Sequence, residues 1–266
     1  MQKPSRKFSL YVMVFVICLY GPIALLPILS FNEGIYAKFP LRGLTLRWYE
    51  EITQRDAAWQ ALYNSLKVAT TVCVISTLMG LLAAKAIVRE RLPGRGYILT
   101  FVMLPLVVPM IIFGVSLLVL LSSMGIGLSL FTVALGHMIV CIPFAIATLV
   151  PRFEGLDKSL EEASADLGEG LFWTFLRVTI PVVFPGILAS LVLTFTVSFD
   201  EFVMSFFLSG TQTTLPMFIW GQLRFPQAFP STLALSTLIL FISIFLVLVS
   251  FRLNRGYAFG NREDIK

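Results

Sequence analysis

Charge is what this chain has least of. Acidic and basic residues make up only 13% of its 266 positions against 57% hydrophobic, and a mean hydropathy of +0.88 excludes an ordinary water-soluble domain. Between Gly96 and Pro151 there is no Asp, Glu, Lys or Arg at all. Histidine is almost missing too. The single one, His137, lies mid-run without a second ligand at metal-binding spacing, and neither H-E-x-x-H nor G-x-S-x-G occurs. It reads as a packing histidine hydrogen-bonded between helices, so an enzyme reading has no catalytic set to stand on. No G-x-x-x-x-G-K-[ST] phosphate loop is present, which assigns any nucleotide hydrolysis to another chain. The few cysteines, Cys18, Cys73 and Cys141, all fall inside apolar runs, as packing residues do and disulfide or metal ligands rarely do.

What the chain does have is apolar runs long enough to cross a bilayer, about 20 residues each. Six are predicted as transmembrane helices: Phe8–Phe31, Tyr63–Val88, Tyr97–Leu121, Leu128–Val150, Val182–Leu208 and Ser231–Phe251. The expected fold class is therefore all-α, a polytopic integral membrane protein with six transmembrane helices and a short cytoplasmic helix. Lys and Arg set the orientation. With both termini inside, the cytoplasmic segments hold thirteen of them: Lys3, Arg6, Lys7, Arg89, Arg91, Arg95, Arg152, Lys158, Arg177, Arg252, Arg255, Arg262 and Lys266. The outer segments hold five, Lys38, Arg42, Arg47, Arg55 and Arg224, so the N-in, C-in arrangement is predicted. The basic pI of about 9.2 then reports topology rather than nucleic-acid binding. The first run follows a positive flank but is too long for a signal-peptide core and lacks a small-x-small cleavage site. It is expected to stay as a helix, kinked at Gly21-Pro22 and Pro27.

Residues 1–60 are expected to form this helix and an outer interfacial segment, 61–252 a five-helix core with a loop at 152–181, and 253–266 a cytoplasmic tail. Leu46-Arg47-Trp48-Tyr49 in the outer segment suits an aromatic belt at the membrane surface, or contact with an external partner. Ser209–Pro230 is rich in turn residues, with Met217–Leu223 as a short helix or re-entrant element shielded by protein or a water-filled cavity. Pro105 and Pro109 remove two backbone donors from the third span, leaving a kinked helix or a broken one of the kind that lines transport pathways. Asp200 and Glu201 interrupt the fifth span near its outer end. Ionisable groups there are costly and face a cavity or a partner. A cation path, an ion pair with Lys67 of the second span, or interfacial exposure would each satisfy them. Adjacent side chains point about 100° apart on a helix, so one carboxylate at most would face a path.

The loop at 152–181 is the polar, helix-compatible exception. Ser159-Leu160-Glu161-Glu162 fits a capping box, with Ser159 capping the N3 amide and Glu162 reaching back. Glu161 and Glu162 complement the helix dipole in the first turn. Leu160, Ala163 and Leu167 fall on one narrow apolar face, and Gly168 is placed to end the helix in the left-handed conformation. A second helical stretch, Leu171–Val178, runs to Pro181. Physically this is either a surface helix that merely links two spans or an element shown to a partner.

The same residues carry a resemblance. Glu162-Ala163-Ser164, then Gly168, then Val178-x-Ile180-Pro181 resemble the coupling-loop signature of ABC importer permeases, which reads E-A-A, three residues, G, nine residues, I-x-L-P. Ser164, Val178 and Ile180 are mild departures. Asn64-Ser65-Leu66, the run Val197–Val203, Phe207-Leu208-Ser209-Gly210, Thr214-Leu215-Pro216, Ser30-Phe31-Asn32 and Trp48-Tyr49 extend the likeness over essentially the whole chain. Together they are similar to the spermidine/putrescine-type permease family. The resemblance implies a permease subunit of the bacterial cytoplasmic (inner) membrane, working by alternating access. It also implies a second permease subunit, two ATPase subunits and an external substrate-binding protein as partners, surrounded by lipid and without nucleic acid. ATP and Mg would be bound by the ATPase, and this chain would hold no cofactor or metal. Glu161, Glu162, Ala163, Gly168 and Pro181 would carry the coupling, while the place of Asp200 or Glu201 in the substrate pathway rests on the charge argument alone. Spermidine or putrescine is the expected cargo, with iron, other amines or opine-like compounds as the alternative. An ion-coupled secondary transporter is the rival class. It would use intramembrane charges or inverted repeats, which are not detected, and would not need the Glu162–Pro181 pattern.

Overall fold

The computed structural model describes residues 6–36, 38–90 and 92–260. Lys3, Arg91, Arg262 and Lys266, used above for orientation, lie outside the described residues, as does the 261–266 end of the expected tail. Among the described residues there is no strand, and one isolated β-bridge joins Asn32 and Leu44. Five helical stretches are long and apolar enough to cross a membrane, and a sixth forms if a bent pair counts as one span. The six-helix, all-α expectation therefore holds.

The helices are α1 (Arg6–Ser30), α2 (Arg47–Thr53), α3 (Asp56–Arg89), α4 (Arg95–Met103), α5 (Met110–Ser123), α6 (Leu130–Glu154), α7 (Lys158–Asp166), α8 (Leu171–Thr174), α9 (Ile180–Phe199), α10 (Val203–Leu208), α11 (Leu215–Gln222) and α12 (Phe229–Gly260). α12 runs on through the start of the expected tail. α1 continues through Pro22 and Pro27 without a break.

Two spans are broken, the third by the broken alternative of the two expected at Pro105 and Pro109, the fifth against the expectation of a continuous helix. In the third, a 3-10 turn at Leu104–Leu106 follows α4, and α5 starts after Pro109 at a bend of 90°. Pro105 and Pro109 withdraw two donors within one turn, and Pro109 takes an extended ψ of 128°, so the helix breaks instead of kinking. In the fifth, α9 stops at Phe199 and α10 restarts at Val203. Asp200 and Glu201 thus occupy a break between helices rather than a helix interior, which removes the 100° argument for their directions.

The chain falls into two compact units: Met1–Trp59 with Phe218–Leu248, and Gln60–Met217 with Val249–Lys266. In the first, the backbone leaving α1 is organised around buried Asn32. Its Oδ1 accepts from the Arg42 amide at 3.1 Å, its Nδ2 donates to Tyr36 O at 3.1 Å, and its own carbonyl accepts the Trp48 Nε1 proton at 2.8 Å. Tyr49 Oη and Ser30 Oγ lie 2.6 Å apart. Trp48 is buried with the Arg47 guanidinium over its ring, so the interfacial-belt expectation is corrected for this residue. An indole inside the fold needs an acceptor, and the carbonyls freed where α1 ends supply one.

In the second unit, small residues let helices approach closely, as association within lipid requires. A Cβ on Gly80 of α3 would come within 2.5 Å of the Ala145 Cβ of α6, and one on Gly114 of α5 would meet the Phe207 ring at 2.5 Å. Buried hydroxyls on α9 are paired or turned to carbonyls. Ser190 Oγ lies 3.1 Å from Thr77 Oγ1, and Thr194 Oγ1 donates to Ser190 O at 2.7 Å. His137 bridges the break in the fifth span, with Nδ1 2.8 Å from Ser198 Oγ and Nε2 3.2 Å from Ser205 Oγ. It is the interhelical packing histidine that the sequence suggested. Cys73 and Cys141 are buried, and Cys18 is exposed on α1.

Candidate functional site

The loop joining α6 to α9 is built from its ends inward. α7 begins at Asp157, whose carboxylate accepts the Ser159 amide at 3.0 Å. The cap is therefore Asp157 rather than Ser159, and Glu162 does not reach back to close a box. An Asp at this position caps as well as Ser does, and starting there lets Lys158 and Ser159 join the helix. The Ser159 backbone and hydroxyl, with help from Arg89, hold the Asp157 carboxyl below the usual carboxylate range.

The other end matches the expectation. Gly168 has φ +87°, and the amides of Gly168 and Glu169 donate to Ala165 O at 2.9 Å and Ser164 O at 3.2 Å. This is the Schellman pattern, which satisfies the last carbonyls of α7 and needs a residue free of the left-handed penalty. Beyond it, Glu169 ion-pairs with Arg177, whose guanidinium also lies over the Trp173 ring at 4.7 Å. The stretch from Leu171 runs into α9 as one helix, with a π-helical turn at Phe175–Thr179 immediately before Pro181. Pro181 has no N–H and its ring crowds the preceding turn, and a widened turn accommodates both.

The faces of α7 divide cleanly. Inward, buried Ser164 pairs with Thr174 Oγ1 at 3.0 Å, and Glu161 meets both Arg89 (2.8 Å, an ion pair rather than an aligned hydrogen bond) and Thr179 (2.6 Å). Outward, Glu162, Ala163 and Asp166 are exposed. So are Leu160, Phe172 and Trp173, while Leu167 and Leu171 are 86% and 87% accessible. The predicted apolar face of Leu160, Ala163 and Leu167 exists, and it points away from the chain's own helices. On a nine-residue helix flanked by ion pairs, this face is left uncovered by the chain itself.

Sequence reading missed Arg89, Thr174 and Thr179 as members of this site. Arg89 lies 72 positions from Glu161, and nothing in local pattern connects them. The Asp157-x-Ser159 pairing was the one legible signal passed over.

The second candidate group separates. Glu201 Oε1 accepts the Met204 amide at 3.0 Å, so it caps α10, and Ser205 Oγ donates to Glu201 O at 3.0 Å. Asp200 is exposed at the end of α9, its side chain free of hydrogen bonds and ion pairs among the described residues. The ion pair with Lys67, one of the alternatives for these carboxylates, is not formed among the described residues. Lys67 is exposed and takes part in none of the ion pairs of the described residues. No three His, Cys, Asp or Glu side chains gather as a metal site among those residues.

Asn64 and Ser65, at the start of the second span, acquire a role. Asn64 Nδ2 donates to Thr213 O at 2.9 Å, and Ser65 Oγ accepts the Leu215 amide at 2.8 Å. Both hold the segment that leads into α11.

With this geometry in place, the comparisons with known proteins are informative. Residues 76–258 match the family described as "Binding-protein-dependent transport system inner membrane component". The spermidine/putrescine transport system permease protein PotC of Escherichia coli (strain K12) is 32% identical over 249 residues, covering 93% of this chain and 94% of PotC. The putrescine transport system permease protein PotI of the same organism is 34% identical over 230 residues, covering 84% of this chain and 81% of PotI. Among solved structures, a bacterial ABC transporter involved in the import of the acidic polysaccharide alginate superposes with a TM-score of 0.69 at 16% identity, covering 94% of this chain and 99% of its own. That last likeness concerns the fold alone.

Proposed function

The chain belongs to the inner membrane components of binding-protein-dependent transport systems, and from that premise we propose that it is the permease subunit of an ATP-driven importer for a small cationic solute, spermidine or putrescine. The observation that carries the transport reading is the outward apolar face of α7 and α8, held rigid from behind by Glu161 and Ser164. A water-facing helix that turns Leu160, Leu167, Leu171 and Phe172 outward fits a groove on a cytoplasmic ATPase subunit. Glu162 and Ala163 lie on the face that would be covered, Gly168 ends it, and Pro181 returns the chain to the membrane. The permease moves solute and is not itself an enzyme. ATP and Mg belong to the ATPase partner.

Two such ATPases, a second permease subunit and an external binding protein complete the assembly, with both termini of this chain in the cytoplasm. The cargo rests on similarity to PotC and PotI over most of the chain, since the same fold also serves a transporter of an acidic polysaccharide. Asp200, exposed at the break, supplies a carboxylate to the cation path; Glu201 is engaged as a cap. Alkyl amines are protonated at neutral pH, so a carboxylate is the matching group.

Uptake of radiolabelled spermidine and putrescine in cells lacking only this chain, with and without its restoration, tests the reading. Restored uptake that vanishes on ATP depletion is the expected result. Restored membrane insertion with a co-purifying ATPase but no polyamine uptake would overturn the cargo, and loss of both would overturn the importer.

A further inference from the structure

Resting on the importer reading, we infer that Glu161 transmits rather than docks: it passes movement of α7 through Arg89 into α3, and α3 delivers it to the segment entering α11. Three observations carry this. First, the Glu161 carboxylate is turned inward and divided between two helices. Oε2 lies 2.8 Å from Arg89 Nε at the last position of α3, and Oε1 accepts the Thr179 hydroxyl at 2.6 Å just before α9. The neighbouring Glu162, which fills the acidic position of the family signature, faces solvent instead.

Second, the Arg89 end is held on more than one side. Arg89 Nη2 donates to Leu156 O at 3.0 Å, tying α3 to the chain just after α6. Leu156 is itself buried in an apolar cluster with Ile87, Phe153 and Val183. The side chains of Arg89 and Glu161 keep only 10% and 20% of their exposure, so the pair is little screened by water. A push on α7 therefore meets a stiff joint rather than a flexible tether.

Third, α3 is also anchored by polar groups two to three turns in from its other end, which begins at Asp56. Asn64 and Ser65 hold Thr213 O and the Leu215 amide. From Ser65 to Arg89 is about 36 Å of unbroken helix at 1.5 Å per residue. A continuous helix gripped at two places moves as a unit between them, and this one links the loop that faces the ATPase to the segment at residues 213–215. Arg89 and Glu161 are positioning residues in this account, acting through α3 and touching no cargo.

The test uses the complete reconstituted transporter and a cysteine at an exposed position of the receiving segment, Thr211→Cys. Its reactivity toward a membrane-impermeant thiol reagent is compared with and without ATP plus vanadate, against the chain lacking that change. Glu161→Gln and Arg89→Gln are each expected to lower uptake about tenfold, within the usual range of coupling between distant sites. Both should also flatten the ATP-dependent change at position 211 while the ATPase still co-purifies. Because the two act through each other, the double variant should be no worse than either single one. Multiplying effects would overturn the inference, as would full uptake in the singles or loss of the ATPase from Glu161→Gln, which would make Glu161 a docking residue. Failure of the unmodified chain to couple uptake to ATP would instead defeat the importer reading itself.

Discussion

Two segments outside the long spans solve the same problem in opposite ways. The segment after α1 turns the aromatics of α2 in while Ile35, Tyr36, Phe39, Leu44 and Leu46 stay exposed: Trp48 is buried, Tyr49 meets Ser30, and Asn32 gathers the loose backbone around itself. The loop carrying α7 and α8 turns its large side chains out and keeps its hydroxyls and Glu161 inside. The cluster around Trp48 and Asn32 is satisfied by the chain alone. The second has its polar groups satisfied and its apolar ones uncovered, the reverse of what an isolated fold favours. The apolar face of α7 and α8 is held from behind and left exposed, whereas the aromatics tucked under the other loop serve that loop.

That contrast breaks most visibly at Gly168. Gly168→Asp forces a side chain into a φ of +87°, a strain of about 1–2 kcal/mol, and sets a charge beside the docking face. Uptake should fall to background while membrane insertion, followed by immunoblot of the membrane fraction, is kept. Open space surrounds the Cβ position, so the defect should lie in docking rather than in the chain's own packing.

The opposite change is Trp48→Ala. Removing a buried indole costs about 3–5 kcal/mol, and the segment at 33–47 should become a protease site while the ATPase co-purifies as before. Trp48→Phe, which loses only the bond to Asn32 O, should cost about 1 kcal/mol. Intact protection in Trp48→Ala would erase the difference between the two segments.

Asp200→Asn is expected to raise the KM for a polyamine about tenfold, equivalent to about 1.4 kcal/mol. Glu201→Gln keeps an acceptor for the Met204 amide and should change it less. Equal effects, or none, in uptake titrations would remove Asp200 from the cation path.

The smallest effect belongs to Asp157. Its carboxyl titrates below the ordinary value, so the cap contributes above that value and is lost as pH falls through the lowered one, below about pH 4. Protection of the Ser159 amide, taken against the intrinsic exchange rate at each pH, should fall over that window, and Asp157→Asn should abolish this pH dependence of protection.

Much of this was legible before any coordinates. Uncharged runs report spans because the bilayer demands about 20 apolar residues regardless of detail, and Gly168 announced a helix end because few residues adopt positive φ without strain. What stayed hidden depends on neighbours. Pro105 and Pro109 show that donors are missing, but whether a helix bends or breaks is decided by what refills the turn. Apolar run length could not show that α9 stops at Phe199, since Glu201 caps α10 across residues that read as one hydrophobic span. Arg89 looked like a topology marker because a charge at a helix end carries no label for its distant partner. Two nearby polar residues competed to cap α7, and pattern matching favoured the familiar motif over Asp157.

The π-helical turn at Phe175–Thr179 has a consequence of angle. Phe172 and Ser190 are separated by about five whole turns of a regular helix at 3.6 residues per turn, which would stack them along one side. Instead Phe172 is exposed and Ser190 wholly enclosed. The widened turn holds a residue more than regular winding would, and so works as a rotary offset between the two ends of one continuous rod. Deleting a single residue from Phe175–Thr179 would swing Leu171, Phe172 and Trp173 by about 100°. Here residue count, independent of side-chain chemistry, sets the direction in which Leu171, Phe172 and Trp173 point.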